Sequence, residues 1–123
     1  MMKLFLIVGL GSFLGGGTRF IAQKYLSILI KSAFPYPIFT INILGSLLIG
    51  ILFGLSSKYN IFSNEVRLFL TTGFCGGFTT FSTFSYDSLM LLKDGNYFYF
   101  FIYIFLSVFL GIFFTFVGYS IFK

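Results

Sequence analysis

A run of residues near the middle of the third apolar segment has the composition of an ion-binding helix break. Residues 76–80 read Gly-Gly-Phe-Thr-Thr, and hydroxyl residues follow at Ser82, Thr83 and Ser85. Adjacent glycines followed by β-branched residues are poor helix formers, so we predict a break over residues 76–80. The first half-helix would end in free carbonyls that suit a cation, and the second would begin with free N–H groups that suit an anion. A glycine kink used only for packing is the alternative.

Two further sets of polar and small residues recur at four-residue steps, which places each set on one face of a helix. An amide within an apolar segment either ties helices together or donates to a ligand, and the sequence leaves both roles open. A single hydroxyl most often bonds back to its own helix. Two such faces in one short chain nevertheless favour a shared polar track. The first set is Asn42, Ser46, Gly50 and Gly54, and the second is Tyr103, Ser107, Gly111, Thr115 and Tyr119.

The residue types of the chain argue against most catalytic sites. The sequence contains no His, one Cys and three acidic residues. The usual sites for metal-dependent hydrolysis and for nucleophilic catalysis cannot be assembled from this set. Cys75 is expected to be buried without a chemical role. We therefore do not expect an enzyme.

The segments that position these residues are apolar enough to cross a membrane. Hydrophobic residues make up 58% of the 123 and charged residues 9%, whereas a soluble domain carries roughly a quarter charged residues. A span needs about 20 apolar residues, and four segments qualify: residues 4–22, 38–55, 68–92 and 97–121. We predict an all-α integral membrane protein with four transmembrane helices, the third broken in mid-span, as a single domain over residues 1–123.

The ends of these segments carry turn and interface signals. Short connections are predicted at residues 31–37, 56–64 and 93–96. Lys3 and the apolar run after it would also fit a secretory signal, but a retained first helix is simpler because the remaining chain is itself apolar. Tyrosines near the predicted span ends are expected to supply an interfacial belt: Tyr25, Tyr36, Tyr59, Tyr97, Tyr99 and Tyr119.

Basic residues are divided almost evenly between the two sides that four spans would create. Because orientation follows the Lys and Arg bias, we predict insertion in both orientations. Two opposite copies could then pair as an antiparallel homodimer about a two-fold axis in the membrane plane. One side carries Lys3, Lys58, Arg67 and Lys123, and the other carries Lys24, Lys31 and Lys93 with Arg19 near the end of the first span.

Two glycine pairs at four-residue spacing would allow close helix packing. Gly11 pairs with Gly15 in the first segment, and Gly50 pairs with Gly54 in the second. Such pairs bring helix backbones together either within one chain or between two chains. The sequence leaves both possibilities open.

Three motifs together resemble the Fluc fluoride channels, also called the CrcB family. The longest, at residues 73–84, reads Gly-Phe-Cys-Gly-Gly-Phe-Thr-Thr-Phe-Ser-Thr-Phe, and the others are Thr-Ile-Asn-Ile-Leu-Gly-Ser at 40–46 and Gly-Gly-Gly-Thr-Arg-Phe at 15–20. The resemblance covers essentially the whole chain. It implies a fluoride-selective passive channel in the bacterial inner membrane that exports cytoplasmic fluoride and gives fluoride resistance. It also implies a dual-topology antiparallel homodimer with two pores.

The resemblance further implies roles for individual residues. A structural sodium ion at the dimer centre would be held by the backbone carbonyls of Gly76 and Thr79. Asp87 stands where relatives often carry Glu, which leaves its role open. The fluoride path would be lined by Asn42, by the rings of Phe81 and Phe84, by the hydroxyls of Ser82 and Thr83, and by Ser107 and Thr115 on the fourth span.

These residue types suit a small anion. Amide and hydroxyl groups donate hydrogen bonds that can replace the water around fluoride. A Phe ring has a positive edge, so an edge-on ring can attract an anion without holding it tightly. Arg19 would either raise the potential at a vestibule or tie helices together, and the sequence does not decide between the two.

Two other functions remain possible from the sequence. A proton-coupled small multidrug transporter would need a carboxylate near mid-membrane, but Glu65 and Asp94 lie at span ends and Asp87 lies towards the end of the third span. An accessory subunit would copurify with a partner and conduct no ions alone. The expected partners are fluoride, lipid and a second copy of the chain, with no nucleic acid.

Overall fold

A computed structural model describes residues 1–122, which are helical over almost their whole length. Lys123, counted above among the basic residues, lies outside the described part. Residues 1–122 contain no strand, so the prediction of an all-helical chain is confirmed for them. The elements in chain order are α1 (Met2–Leu29), α2 (Tyr36–Tyr59), α3 (Asn64–Leu68), a π-helical segment (Phe69–Cys75), α4 (Gly76–Phe78), α5 (Phe81–Lys93) and α6 (Tyr97–Ser120).

Three helices are long and apolar enough to cross a membrane: α1, α2 and α6. They contain 28, 24 and 24 residues, and a span needs about 20. Residues 64–93, here called the broken segment, join α2 to α6 without forming a single helix of that length. The chain is therefore a multi-pass membrane protein.

The helix break lies later than the sequence predicts. Gly76 and Gly77 are helical in α4, and only Thr79 and Thr80 are extended, with ψ of 158° and 119°. Low helix propensity is overridden because the missing side chain of Gly77 lets the broken segment lie directly against α1. A Cβ at Gly77 would lie 2.6 Å from the Ser12 carbonyl oxygen. The prediction of a break over residues 76–80 is thus correct only for its last two residues.

The π-helical segment that precedes α4 has no counterpart in the sequence prediction. Its wider turns alter which carbonyls are free to bond outside the helix. Ser12 of α1 donates from Oγ to the Gly73 carbonyl at 3.2 Å. This partner belongs to another helix, so sequence periodicity does not reveal it.

The helices are longer than the apolar runs that identified them. α1 continues to Leu29 instead of residue 22, and α2 continues to Tyr59 instead of residue 55. The connections shrink accordingly to residues 30–35, 60–63 and 94–96. Helical hydrogen bonding joins backbone groups and does not require apolar side chains, so a helix can continue beyond the apolar run that identified it. At the end of α2, Asn60 adopts a left-handed conformation with φ of 53°.

Packing divides the chain into two helix pairs. α1 lies along the broken segment, and α2 lies along α6. Both glycine pairs act within one chain: a Cβ at Gly11 would lie 2.5 Å from the Phe69 carbonyl oxygen, and one at Gly54 would lie 2.8 Å from that of Tyr119. The structure thus settles the question that the sequence left open.

Buried side chains are few. Cys75 is only 1% exposed, as predicted. The largest buried side chain is Tyr103, which packs with Phe34 and Leu91 in a small core beside the start of α6.

Candidate functional site: a polar groove beside the helix break

A continuous groove runs between α2, α6 and the broken segment. Its upper part, beside the break, has a volume of about 500 Å³, and its lower part, between α2 and α6, about 660 Å³. The two parts share four lining residues, so we treat them as one feature and call it the polar groove. Of the residues proposed from the sequence, those that line it are Asn42, Gly76, Thr79, Phe81, Phe84, Ser107 and Thr115.

The groove unites the two polar faces recognised in the sequence. Asn42, Ser46 and Gly50 face it from α2, while Ser107 and Gly111 face it from α6. The two faces meet because small residues on α2 let α6 approach closely. The shared polar track is therefore present as a geometric feature.

Asn42 clamps the backbone at the break. Its Oδ1 accepts from the Thr80 N–H at 2.9 Å, and its Nδ2 donates to the Thr80 carbonyl at 3.2 Å. These two bonds replace the helical hydrogen bonds that the extended backbone cannot make. Asn42 therefore ties helices together, and one of its two amide hydrogens remains free to donate to a ligand.

Ser82 and Thr83 do not line the groove and instead cluster around Thr80 at the start of α5. The Thr80 hydroxyl caps α5 by accepting from the Thr83 N–H at 3.1 Å. The same hydroxyl donates to Thr83 Oγ1 at 3.1 Å and lies 3.2 Å from Ser82 Oγ. The hydroxyls of Ser82 and Thr83 thus stand at the helix start, next to the groove.

The two phenylalanines of α5 differ in exposure. Phe81 is 78% exposed, whereas Phe84 is half-buried. Their ring centroids are 5.6 Å apart, and Phe84 also lies 5.0 Å from the Tyr103 ring. Both rings border the groove beside the Asn42 clamp.

The two hydroxyls proposed on α6 differ in bonding. Thr115 donates to the Ser46 carbonyl at 3.0 Å and to the Gly111 carbonyl at 2.9 Å. Ser107 Oγ is buried and has no hydrogen-bond partner among the described residues. Thr115 therefore ties α6 to α2, while Ser107 keeps its donor free.

Sequence reasoning missed the partner of Asp87. Tyr103 is fully buried and donates from its hydroxyl to Asp87 Oδ2 at 3.3 Å. The available signal was the place of Tyr103 at the head of the α6 polar set. The pairing itself depends on how α5 and α6 cross, which the sequence pattern does not give.

Arg19 and Ser12 act from the other side of the broken segment. Arg19 Nε donates to the Gly77 carbonyl at 3.1 Å, and Ser12 bonds the Gly73 carbonyl as described above. Arg19 is therefore an interhelical tie, one of the two roles considered from the sequence.

The backbone at the end of α4 suits a hard cation. Within residues 1–122 the carbonyls of Gly76 and Thr79 accept no hydrogen bond. Carbonyls at the end of a helix carry partial negative charge, and oxygen is the ligand that hard cations prefer. The described residues contain no group of three or more His, Cys, Asp or Glu side chains that could hold a metal. The two carbonyls therefore fit sodium by their chemistry.

Comparison with known proteins adds a family to this geometry. Residues 6–119 match the family model described as CrcB-like protein, Camphor Resistance (CrcB). The chain belongs to the CrcB family. The resemblance noted in the sequence is thereby confirmed, and the match includes every residue of the polar groove and of the break.

Curated CrcB relatives carry a consistent name. A protein from Bacteroides fragilis is 48% identical over 99 residues, which cover 78% of this chain and 77% of the relative. One from Leptospira interrogans is 40% identical over 121 residues, covering 98% and 95%. One from Campylobacter lari is 40% identical over 125 residues and covers both chains completely. Each relative is named "Fluoride-specific ion channel FluC".

Proposed function

We propose that this CrcB-family chain is a fluoride-specific ion channel that lets fluoride leave the bacterial cell passively and so gives fluoride resistance. The observation that carries the proposal is the polar groove beside a broken helix, in a chain similar over its length to proteins named as fluoride channels. An ion channel transfers no chemical group, so the protein is not an enzyme.

The groove offers fluoride a series of weak contacts. Asn42 has one free amide hydrogen, and Ser107 has a free hydroxyl. Phe81 and Phe84 can present their positive ring edges to the anion. Thr115 shapes the wall of the path, and Ser82 and Thr83 stand beside it at the start of α5. Several weak sites in sequence allow passage, whereas one strong positive site would trap the ion.

Passive export is sufficient for the proposed role. Hydrogen fluoride crosses membranes as a neutral acid and ionises in the cytoplasm, where fluoride accumulates. A negative-inside potential then drives the anion outwards with about 2.3 kcal/mol per 100 mV for each charge. The protein needs no energy-coupling site for this purpose.

The active form that we propose is an antiparallel homodimer of four-span subunits in the inner membrane. α1, α2 and α6 supply three spans, and the broken segment supplies the fourth as two half-helices. The even division of basic residues supports insertion in both orientations. The strongly exposed Phe81 ring beside the groove supports a second copy that completes each pore. Two symmetry-related copies would give two pores.

A sodium ion bound between the two copies would supply positive charge at the centre of the dimer. The carbonyls of Gly76 and Thr79 would hold it, as their free lone pairs allow. Such an ion would tie together the ends of the two broken helices. Replacing sodium with a large organic cation should then lower the thermal stability of the dimer without unfolding each subunit, and unchanged stability would argue against the site.

Fluoride efflux from liposomes tests the main proposal. Purified protein is reconstituted in vesicles loaded with potassium fluoride, valinomycin is added, and external fluoride is followed with an electrode. Rapid efflux that is insensitive to chloride is expected. No efflux from vesicles shown to contain assembled dimer would refute the channel and favour a transporter or an accessory subunit.

A further inference from the structure

Three hydroxyl groups that line the polar groove, those of Ser46, Thr72 and Ser107, are in no side-chain hydrogen bond within residues 1–122. Bonding to the carbonyl four residues earlier is the ordinary behaviour of a hydroxyl in a helix. Six other Ser and Thr side chains of the chain show it: Thr18, Ser27, Thr71, Thr79, Ser88 and Thr115.

Ser46 and Ser107 stand where the upper and lower parts of the groove join. Both residues line both parts, Ser46 from α2 and Ser107 from α6. The other two shared residues, Phe53 and Val108, are apolar. An ion that travels along the groove therefore meets the Ser46 hydroxyl at the junction, whereas the Ser107 hydroxyl is buried in the wall and would have to turn towards the groove to reach the ion.

The space beside Ser46 is kept open by a glycine on α6. A Cβ at Gly111 would lie 3.5 Å from Ser46 Oγ, in ordinary van der Waals contact. Without that Cβ the hydroxyl is reachable from the groove. A methyl group at this position would fit without strain and would cover the hydroxyl.

Thr115 cannot perform the same task while its present bonds remain. A hydroxyl carries one hydrogen, and that of Thr115 is directed at the carbonyls of Ser46 and Gly111. Ser46 therefore has a free donor, whereas Thr115, one turn beyond Gly111 on α6, has none.

We propose that Ser46 is a fluoride-binding, specificity-determining residue, whose hydroxyl donates to the ion at the junction together with that of Ser107. The inference rests on the proposed fluoride channel and adds a ligand from α2. Fluoride is the smallest halide and the strongest hydrogen-bond acceptor among them. Two hydroxyl donors at one point of the groove favour it over chloride for that reason.

Efflux measurements on three variants test the assignment. Ser46→Ala should slow fluoride efflux about tenfold, the value of one hydrogen bond to a charged partner. Ser46→Thr keeps a hydroxyl and should restore most of the rate. Ser27→Ala removes a hydroxyl that is bonded back to α1 and should leave the rate unchanged. Wild-type rates in Ser46→Ala would overturn the role of Ser46, whereas failure of the wild-type protein to conduct would overturn the channel itself.

Gly111→Ala gives a second test that does not depend on how well Ser46→Ala folds. Alanine favours helix over glycine, so the protein should be at least as stable as wild type. Fluoride efflux should nevertheless fall by about the same factor as in Ser46→Ala, because the methyl group covers the hydroxyl. Unchanged efflux in a stable Gly111→Ala protein would contradict the proposal.

Discussion

The two helix pairs of the molecule both rely on glycine, yet one is closed and the other leaves a groove. Between α1 and the broken segment, a Cβ at Gly77 would lie 2.6 Å from a carbonyl oxygen of α1, and one at Gly73 would lie 2.9 Å from another. Between α2 and α6, Gly50, Gly54 and Gly118 are equally tight, but a Cβ at Gly111 would meet only the Ser46 hydroxyl, at 3.5 Å. No residue of α1 lines the polar groove.

The two helix pairs therefore differ in role: the closed pair supports the broken segment, and the open pair borders the proposed ion path. In the closed pair, polar side chains of α1 bond to carbonyls of the broken segment and hold it in place. In the open pair, some hydroxyls are left free along the groove. We therefore expect changes on the closed side to alter mainly stability and changes on the open side to alter mainly fluoride flux.

The largest effect is expected at Gly77 on the closed side. Gly77→Ala would push a methyl group against backbone atoms of Ser12 and Gly16, and backbone atoms cannot rotate away. The free energy of unfolding should fall by about 3 kcal/mol, the upper end for overpacking. The proposed dimer and its fluoride efflux should be lost. Unfolding by denaturant titration in detergent measures the fall in free energy. Gly9→Ala, which meets nothing within 4 Å, is the control and should behave as wild type.

A change at Asn42 should affect both stability and fluoride flux, because Asn42 lines the polar groove and also hydrogen-bonds the backbone of Thr80. Asn42→Leu would leave the N–H and carbonyl of Thr80 without their partner. We expect the free energy of unfolding to fall by about 2 kcal/mol, since water in the open groove partly replaces the amide. Fluoride efflux should also fall. Faster hydrogen exchange of the backbone amides at the start of α5 should accompany the loss of stability. Asn64→Leu, an exposed position bonded only to Arg67, should change neither, and equal effects at both sites would count against the clamp.

Phe81 and Phe84 provide a test on the open side of the molecule. Replacing either ring with Ile removes the positive ring edge but keeps apolar volume. Efflux should fall about tenfold, in line with the energy of an aromatic contact, while dimer yield stays at the wild-type value. Unfolding should be unchanged in Phe81→Ile but easier in Phe84→Ile, which loses its contact with the Tyr103 ring. Full fluoride flux in both variants would remove the rings from the proposed path.

The smallest effect is expected at Arg19 on the closed side. Arg19→Met would remove the bond to the Gly77 carbonyl and cost about 1 kcal/mol, because the group is only partly buried. Efflux per folded dimer should hardly change. Lys24→Met, a neighbouring exposed position, provides the control. A large fall in efflux with unchanged stability would instead place Arg19 in the ion path.

Much of the candidate site could be predicted from residue types and spacing. The four-residue repeats at Asn42 and Ser107 correctly placed each polar set on one helix face, and Cys75 is buried as expected. The break could be predicted only approximately, because glycine propensity pointed to residues 76–78 while packing against α1 keeps them helical. Ser82 and Thr83 were predicted to line the ion path; within one chain they stand next to the groove in the first turn of α5, which the Thr80 hydroxyl caps, and their place in the path stays a prediction. The Tyr103–Asp87 bond could not be predicted, because it depends on how α5 crosses α6.

The amino-acid sequence alone establishes that lipid is the main solvent of this protein, because three acidic and eight basic residues cannot cover a water-exposed surface. It also determined that the third segment is interrupted and that polar residues share helix faces, since both follow from local propensity and period. Only the tertiary structure decided which hydroxyls remain free. A hydroxyl has one hydrogen, and whether a carbonyl of its own or a neighbouring helix takes that hydrogen depends on the separation of helices in space. That separation is set by glycine contacts that residues far apart in the chain make together.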